Sequence, residues 1–174
     1  MDANEINDKR IMHIDTSSKL YERKKTGIAY KIIGSNLHKG AGLSLKLKKE
    51  LERDLGVGKD YGKLYALYIY CLIKDDLDLF DVLVICGDED FTRVKKYLNL
   101  LFQKNDVYSR KEIISLYELR ELTGKKKLKS YADNIANSYR KRALRSATRQ
   151  QEGIPLNPIK ITYKMICEKW KELE

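Results

Sequence analysis

The chain is poor in the residues that mark several protein classes. It has two prolines and no internal repeat or low-complexity stretch, which excludes a proline-rich linker protein or a repeat array. Its three cysteines, Cys71, Cys86 and Cys167, are far apart, odd in number and set in apolar runs without CxxC spacing, so they read as reduced core thiols rather than a disulfide frame or a zinc site. His13 and His38 are the only histidines, and neither has a nucleophile nearby; Ser17 and Ser18 therefore lack a Ser-His-Asp set. No apolar run reaches the roughly eighteen residues of a membrane span. The opening MDANEINDKR has no basic-then-apolar pattern, so no secretory signal is expected and the reading is cytoplasmic. GSNLHKGAG carries glycines and a lysine but not GxxxxGK[ST], which argues against a nucleotide-binding P-loop while leaving a loop able to touch phosphate.

What remains is a 174-residue chain with 43% apolar residues, enough for one domain with its own core. Lys and Arg number 35 against 25 acids, a net charge of +10 that favours a polyanionic partner, nucleic acid before an acidic membrane surface. The 34% charged content with little proline is also the composition of heat-adapted proteins.

Apolar patterning predicts the elements. RIMHIDTSSKLY reads as a strand ending near Asp15, TGIAYKIIG as a second strand, and YERKK as the hairpin connection between them. GAGLSLKLKKELERDLG alternates and then repeats at helical spacing, predicting a short strand and a helix ending at Gly56. DYGKLYALYIYCLIKDDL is apolar on more than one face and suits a buried helix, after which FDVLVIC is a strand. FTRVKKYLNLLFQK is helical, EIISLYEL a further strand, and KKLKSYADNIANSYRKRALRSATRQQ one long helix with Tyr131, Ile135, Tyr139 and Ala143 as its apolar stripe. ITYKMICEKWKELE is a last helix with Ile161, Met165 and Trp170 inward. Together these predict a single domain over 1–174, with its core at about 10–150 and a strand and helix extension at 154–174. The class is α/β, a mixed sheet layered by helices.

The FDVLVIC strand runs straight into Gly87-Asp88-Glu89-Asp90, and a buried strand end holding carboxylates is costly unless a cation or hydrogen bonds compensate. Phosphodiester hydrolysis with magnesium or manganese needs such oxygen ligands converging from separate segments. Asp15 and Asp88 each follow a strand-like run, so adjacent parallel strands would bring them to a shared ion, and Asp133 lies near the start of a basic helix. Simpler roles compete: a cap for the following helix at Asp88, a turn at Asp15, a surface ion pair at Asp133.

In this order of elements, the chain resembles the ribonuclease H-like superfamily. Asp15, Ser17 and TGIAYKII are similar to that family's first-strand Asp, hydroxyl residue and glycine-bearing second strand; Asp88 resembles its strand-end Asp, and YADNIANSYRKRA the helix that carries its last ligand, here Asp133. The resemblance covers about residues 10–145. It implies an N-terminal β-hairpin in a mixed sheet, Asp15, Asp88 and Asp133 as catalytic metal ligands, and Mg2+ or Mn2+ as the ion. The family's Glu on the preceding helix has no counterpart in Gly62 to Ala66, and Asp60, Asp90 or Glu50 are the candidates to replace it. A second resemblance competes, since VLVICGDEDF is similar to the GDxDF segment of NYN and PIN-type nucleases, which would keep Asp15, Asp88 and Asp90 and drop Asp133.

Either resemblance implies a nuclease acting on DNA, RNA or a hybrid. The preference is for single-strand exonuclease activity, as in archaeal-type enzymes of this shape. Arg140, Lys141, Arg142, Arg145 and Arg149 would hold the backbone phosphates. Tyr21, Tyr61 or Tyr108 could stack bases, while Tyr68, Tyr70 and Tyr97 read as core. Oligomeric assembly is open. The alternatives are a noncatalytic nucleic-acid-binding module on the same scaffold and a structural protein whose charge reflects thermal adaptation alone.

Overall fold

The computed structural model describes residues 3–56, 58, 60–87, 89–142 and 157–173. Its five strands are β1 (Ile11–Thr16), β2 (Thr26–Ile32), β3 (His38–Leu43), β4 (Val82–Ile85) and β5 (Glu112–Ser115). They form one sheet in the order β3-β2-β1-β4-β5. β1, β2 and β3 run as an antiparallel meander, and β4 and β5 join the other side of β1 in parallel. The class is therefore α/β with a mixed open sheet.

Both faces of the sheet are covered, which is why β4 is buried along its whole length and reads as a continuous apolar run rather than an alternating one. On one face Met12, Ile14, Ile28, Tyr30, Leu83 and Ile85 pack with α2 (Leu45–Leu55), α3 (Tyr61–Ile73), α4 (Phe91–Leu101) and α8 (Tyr163–Lys171) in the main core. On the other face Val82, Val84 and Cys86 meet α1 (Ala3–Asn7) and α6 (Leu116–Thr123), while Ala29 meets α7 (Asp133–Arg142). A short α5 (Asp106–Ser109) precedes β5.

Local chemistry sets most boundaries. Ser44 caps α2 through the Leu47 amide, and Gly56 ends it in a left-handed conformation. Asp60 caps α3 by accepting from the Lys63 amide at 2.9 Å, and α3 then buries its circumference between the sheet, α4 and α8. The basic end of Lys63 lies 4.1 Å from the centre of the Trp170 ring, a cation-π contact that lets a lysine sit inside.

Three expectations are corrected. EIISLYEL is a strand only as far as Ser115, because Ser115 and Glu118 form a reciprocal capping box that starts α6 and ends the pairing. The long basic helix begins at Asp133 rather than Lys126; its buried stripe is Ile135, Ala136 and Tyr139, while Tyr131 is exposed. Position 143 of the expected stripe lies outside the described residues. In α8 Met165 packs against the core with Trp170 as expected, but the most deeply buried residue is Ile166, which the expected stripe omits.

Glycine matters most where α7 crosses the sheet. A Cβ on Gly27 would lie 1.9 Å from the Ala136 carbonyl oxygen, and one on Gly40 would strike the Tyr139 ring at 2.4 Å. These two positions let the helix backbone sit directly on β2 and β3, which holds Asp133 at the sheet's end. The extension docks beside them, with the Ile159 amide donating to the Gly40 carbonyl at 2.9 Å and Pro158 bridging Gly40 in parallel.

Candidate functional site

The chain leaves β1 toward β2 on one side of the sheet and leaves β4 toward β5 on the other, so the carboxyl ends of these parallel neighbours open a crevice between diverging connections. A cleft of about 720 Å³ lies there. One wall is the hairpin loop with Asp15, Ser17, Lys19, Glu22 and Lys24; the other is Ser115 to Tyr117, Arg120, Lys129, Ser130 and Asp133. Tyr65, Ile85, Cys86 and Gly87 form its floor, with Glu89 and Phe91 at the side.

The floor is stitched to β1. The Cys86 amide donates to the Ile14 carbonyl at 2.8 Å, which sets Cys86 beside Asp15 across the strand pair. The Tyr65 hydroxyl rises from α3 and donates to the Cys86 carbonyl at 2.7 Å. Burial holds the Tyr65 phenol well above its ordinary range, with the charges of Asp15 and Glu89 acting the same way, so it stays a neutral donor. Burial likewise pushes the Cys86 thiol up to about 12; a Ser130 hydrogen bond opposes the shift, and the Asp15 and Asp133 charges add to it. Asp15 and Asp133, distant in sequence, thus act on one buried thiol. Cys86 is inert as a nucleophile at neutral pH.

The hairpin wall is built to be rigid. Ser17 is committed to backbone work, its hydroxyl accepting from the Gly27 amide at 2.8 Å and its amide donating to the Gly27 carbonyl at 2.9 Å. Lys48 reaches from α2 beneath the loop and donates to the carbonyls of Glu22 and Lys24 at 2.7 and 3.0 Å, and to the Thr26 hydroxyl at 3.0 Å. Burial lowers this ammonium to about 8. It is charged at neutral pH and spends its three donors on the loop.

The sequence-predicted acids fall into three groups. Asp15 and Asp133 both line the cleft. Asp88 lies outside the described residues, two positions past Cys86. Asp60 and Asp90 are helix caps and are not among the residues lining the cleft. Asp60 also accepts from the Tyr97 hydroxyl at 2.6 Å and pairs with Arg93 at 3.7 Å, and Asp90 accepts from the Arg93 amide at 3.2 Å. Glu50 sits on α2 and pairs with Lys46 one turn away at 3.9 Å. Glu89 is the acid that the GDED stretch does bring to the cleft. No group of three His, Cys, Asp or Glu side chains among the described residues forms a metal-holding set.

Of the basic helix, Arg140 donates to the Asn137 side chain at 2.7 Å, Lys141 is exposed, and Arg142 is the last residue of α7; Arg145 and Arg149 lie outside the described residues. None of the described ones is among the cleft-lining residues, where the cations are Lys19, Lys24, Arg120 and Lys129. Charge runs in KKKLK were the signal that could have found Lys129. Tyr108 is buried, so it cannot stack a base; the tyrosine exposed on the cleft wall is Tyr117. GSNLHKGAG forms the β2–β3 turn and much of β3, away from the cleft.

His13 shares a strand face with Asp15, yet it is 1% exposed and covered by the segment leading into α7. Its Nδ1 accepts from the Tyr131 amide at 3.4 Å, and the two rings meet edge to face. Burial draws the imidazole down to about 4, leaving it neutral, a post that fixes the backbone two residues before Asp133.

No described helix is long and apolar enough to cross a membrane. Comparison with protein-family models, curated proteins and solved structures finds no match for the chain.

Proposed function

We propose that the cleft is the active site of a metal-dependent nuclease that hydrolyses phosphodiester bonds of DNA or RNA on a ribonuclease H-like scaffold. The observation that carries this reading is that Asp15 and Asp133 both line the cleft at the carboxyl ends of β1 and β4. Asp88 follows in sequence from the same strand end. The mixed sheet opening with an N-terminal hairpin agrees with the order of elements behind that resemblance. Asp133 lining the cleft while Asp90 serves as a cap favours it over the NYN and PIN-type alternative.

The donor set suits a hard cation. Magnesium is held by one or two carboxylates, with waters and substrate phosphate completing its shell, so a complete protein cage of three acids is not required. When bound, Mg2+ or Mn2+ would neutralise charge on the scissile phosphate and lower the pKa of a coordinated water. Asp15 and Asp133, with Asp88, would be its ligands. Lys19, Lys24, Arg120 and Lys129 offset the charge of the entering backbone, and the Lys48 clamp keeps the hairpin wall from yielding to it.

The test is release of nucleotides from a labelled single strand with manganese present and after chelation. Asp15→Asn, Asp88→Asn and Asp133→Asn should each cut turnover by more than about a hundred-fold, beyond the cost of losing a supporting partner. Asp90→Asn keeps a good cap and should leave turnover near normal. Undiminished turnover in Asp15→Asn would end the proposal. A second reading, a noncatalytic nucleic-acid-binding module, is favoured by Tyr65, which occupies the cleft floor on the helix where the resemblance calls for an acid. Salt-sensitive binding without metal-dependent turnover would select it.

A further inference from the structure

We infer that the α6 wall of the cleft is a track for single-stranded nucleic acid, with Tyr117 as a base-stacking platform and the lysine turn at 125–129 as its phosphate contact. This rests on the reading of the cleft as a polynucleotide site and names the strand form it takes.

Tyr117 stands in the first turn of α6 and is 67% exposed while lining the cleft. Its neighbours Leu116, Leu119 and Leu122 form the stripe that packs on the sheet, so Tyr117 is off the core face and its ring is not needed for folding. A large aromatic ring held on a rigid helix beside a polar cleft offers a flat apolar surface of the kind an unpaired base covers.

After α6, Gly124 takes a φ of 67° and turns the chain back. The Leu128 amide donates to the Lys125 carbonyl at 3.0 Å, and Arg120 Nε donates to the Leu128 carbonyl at 2.9 Å, which pins the turn against the helix. Lys125, Lys126, Lys127 and Lys129 are all exposed on this pinned turn. No acid occurs from Gly124 to Ala132. Cations at a helix carboxyl end complement its dipole, and one or two would satisfy that. Four, with Lys129 returning along the helix to the cleft edge, make a line of positive charge from the far end of α6 to Ser130 and Asp133. Phosphates spaced along a strand match such a line. A duplex would use the lysines but hide its base faces from Tyr117, and an acidic peptide would use the lysines without the ring.

The experiment measures anisotropy of a labelled oligothymidine about twenty nucleotides long, bound by the full chain in EDTA so that turnover cannot intervene. Tyr117→Ala should weaken binding about ten-fold without changing its salt dependence, and Tyr117→Phe should restore it. Changing Lys125, Lys126, Lys127 and Lys129 to Gln together should flatten the slope of log affinity against log salt by about 2 to 3. All these side chains are exposed, so thermal melts should match the parent chain. The inference is overturned if Tyr117→Ala binds like the parent, if a duplex of equal length binds as tightly, or if oligoglutamate competes as well as DNA. Track variants that bind normally while turnover still needs Asp15 remove the track and spare the nuclease; weakened track variants with no turnover in the parent do the reverse.

Discussion

Lowering the pH from 7.5 to 5 should destabilise this protein through His13, and the size follows from its burial. Unfolded, the imidazole takes up a proton near 6.5; folded, it resists down to about 4. Stability from keeping it neutral is therefore complete above 6.5 and is lost as pH falls through that interval. The shift corresponds to about 3 kcal/mol in full, of which about 2 kcal/mol is gone by pH 5. Asp81, held at about 2 chiefly by its hydrogen bond with Arg10, stays charged across the window. His38 is also lowered, first by burial and then by Lys31, and adds in the same direction, so the informative quantity is a difference between variants. Urea unfolding at both pH values would be run on the parent and on His13→Asn, whose amide can offer an acceptor near the Nδ1 position but cannot titrate. The parent should lose about 2 kcal/mol more than the variant between the two conditions. The protection factor of the Tyr131 amide, taken against its slower intrinsic exchange in acid, should fall at pH 5 in the parent alone. Equal losses in the two proteins would refute the argument and detach His13 from the positioning of Asp133.

Gly27→Ala should lower stability by about 3 kcal/mol or more, since its new Cβ meets the Ala136 backbone oxygen and α7 must lift from the sheet. Thermal melting with exchange across α7 would read this, and an unchanged melting point would show that the contact is not tight. Asp76→Asn should cost about 3 kcal/mol by stranding Lys39, which together with the Tyr30 hydroxyl ties β2 and β3 to the turn after α3 through that carboxylate. Urea unfolding that matches the parent would mean that Lys39 finds water instead.

Much of this protein is written in short windows of its sequence. The β1–β2 hairpin, the β3–α2 break and the buried α3 were legible because alternation, Ser44, Gly56 and Asp60 each act within about four residues. Even the missed end of β5 was local, a Ser115–Glu118 capping box that outweighs β-favouring neighbours. The placement of acids was different in kind. Asp15 and Asp133 read as ligands and Asp60 and Asp90 as stand-ins for the absent helix Glu, and nothing nearby in the chain shows which of the four share a site. Strand order does, because a crevice opens where β1 and β4 part, and Asp15 and Asp133 line it while the other two cap their own helices. His13 tells the same story, since alternation set its face but only the crossing of α7 made it dry. Sequence alone determined the elements and the charge, because backbone hydrogen bonding and capping are short-range. Tertiary structure decided which charged groups share a cleft, because that depends on contacts between segments far apart in the chain.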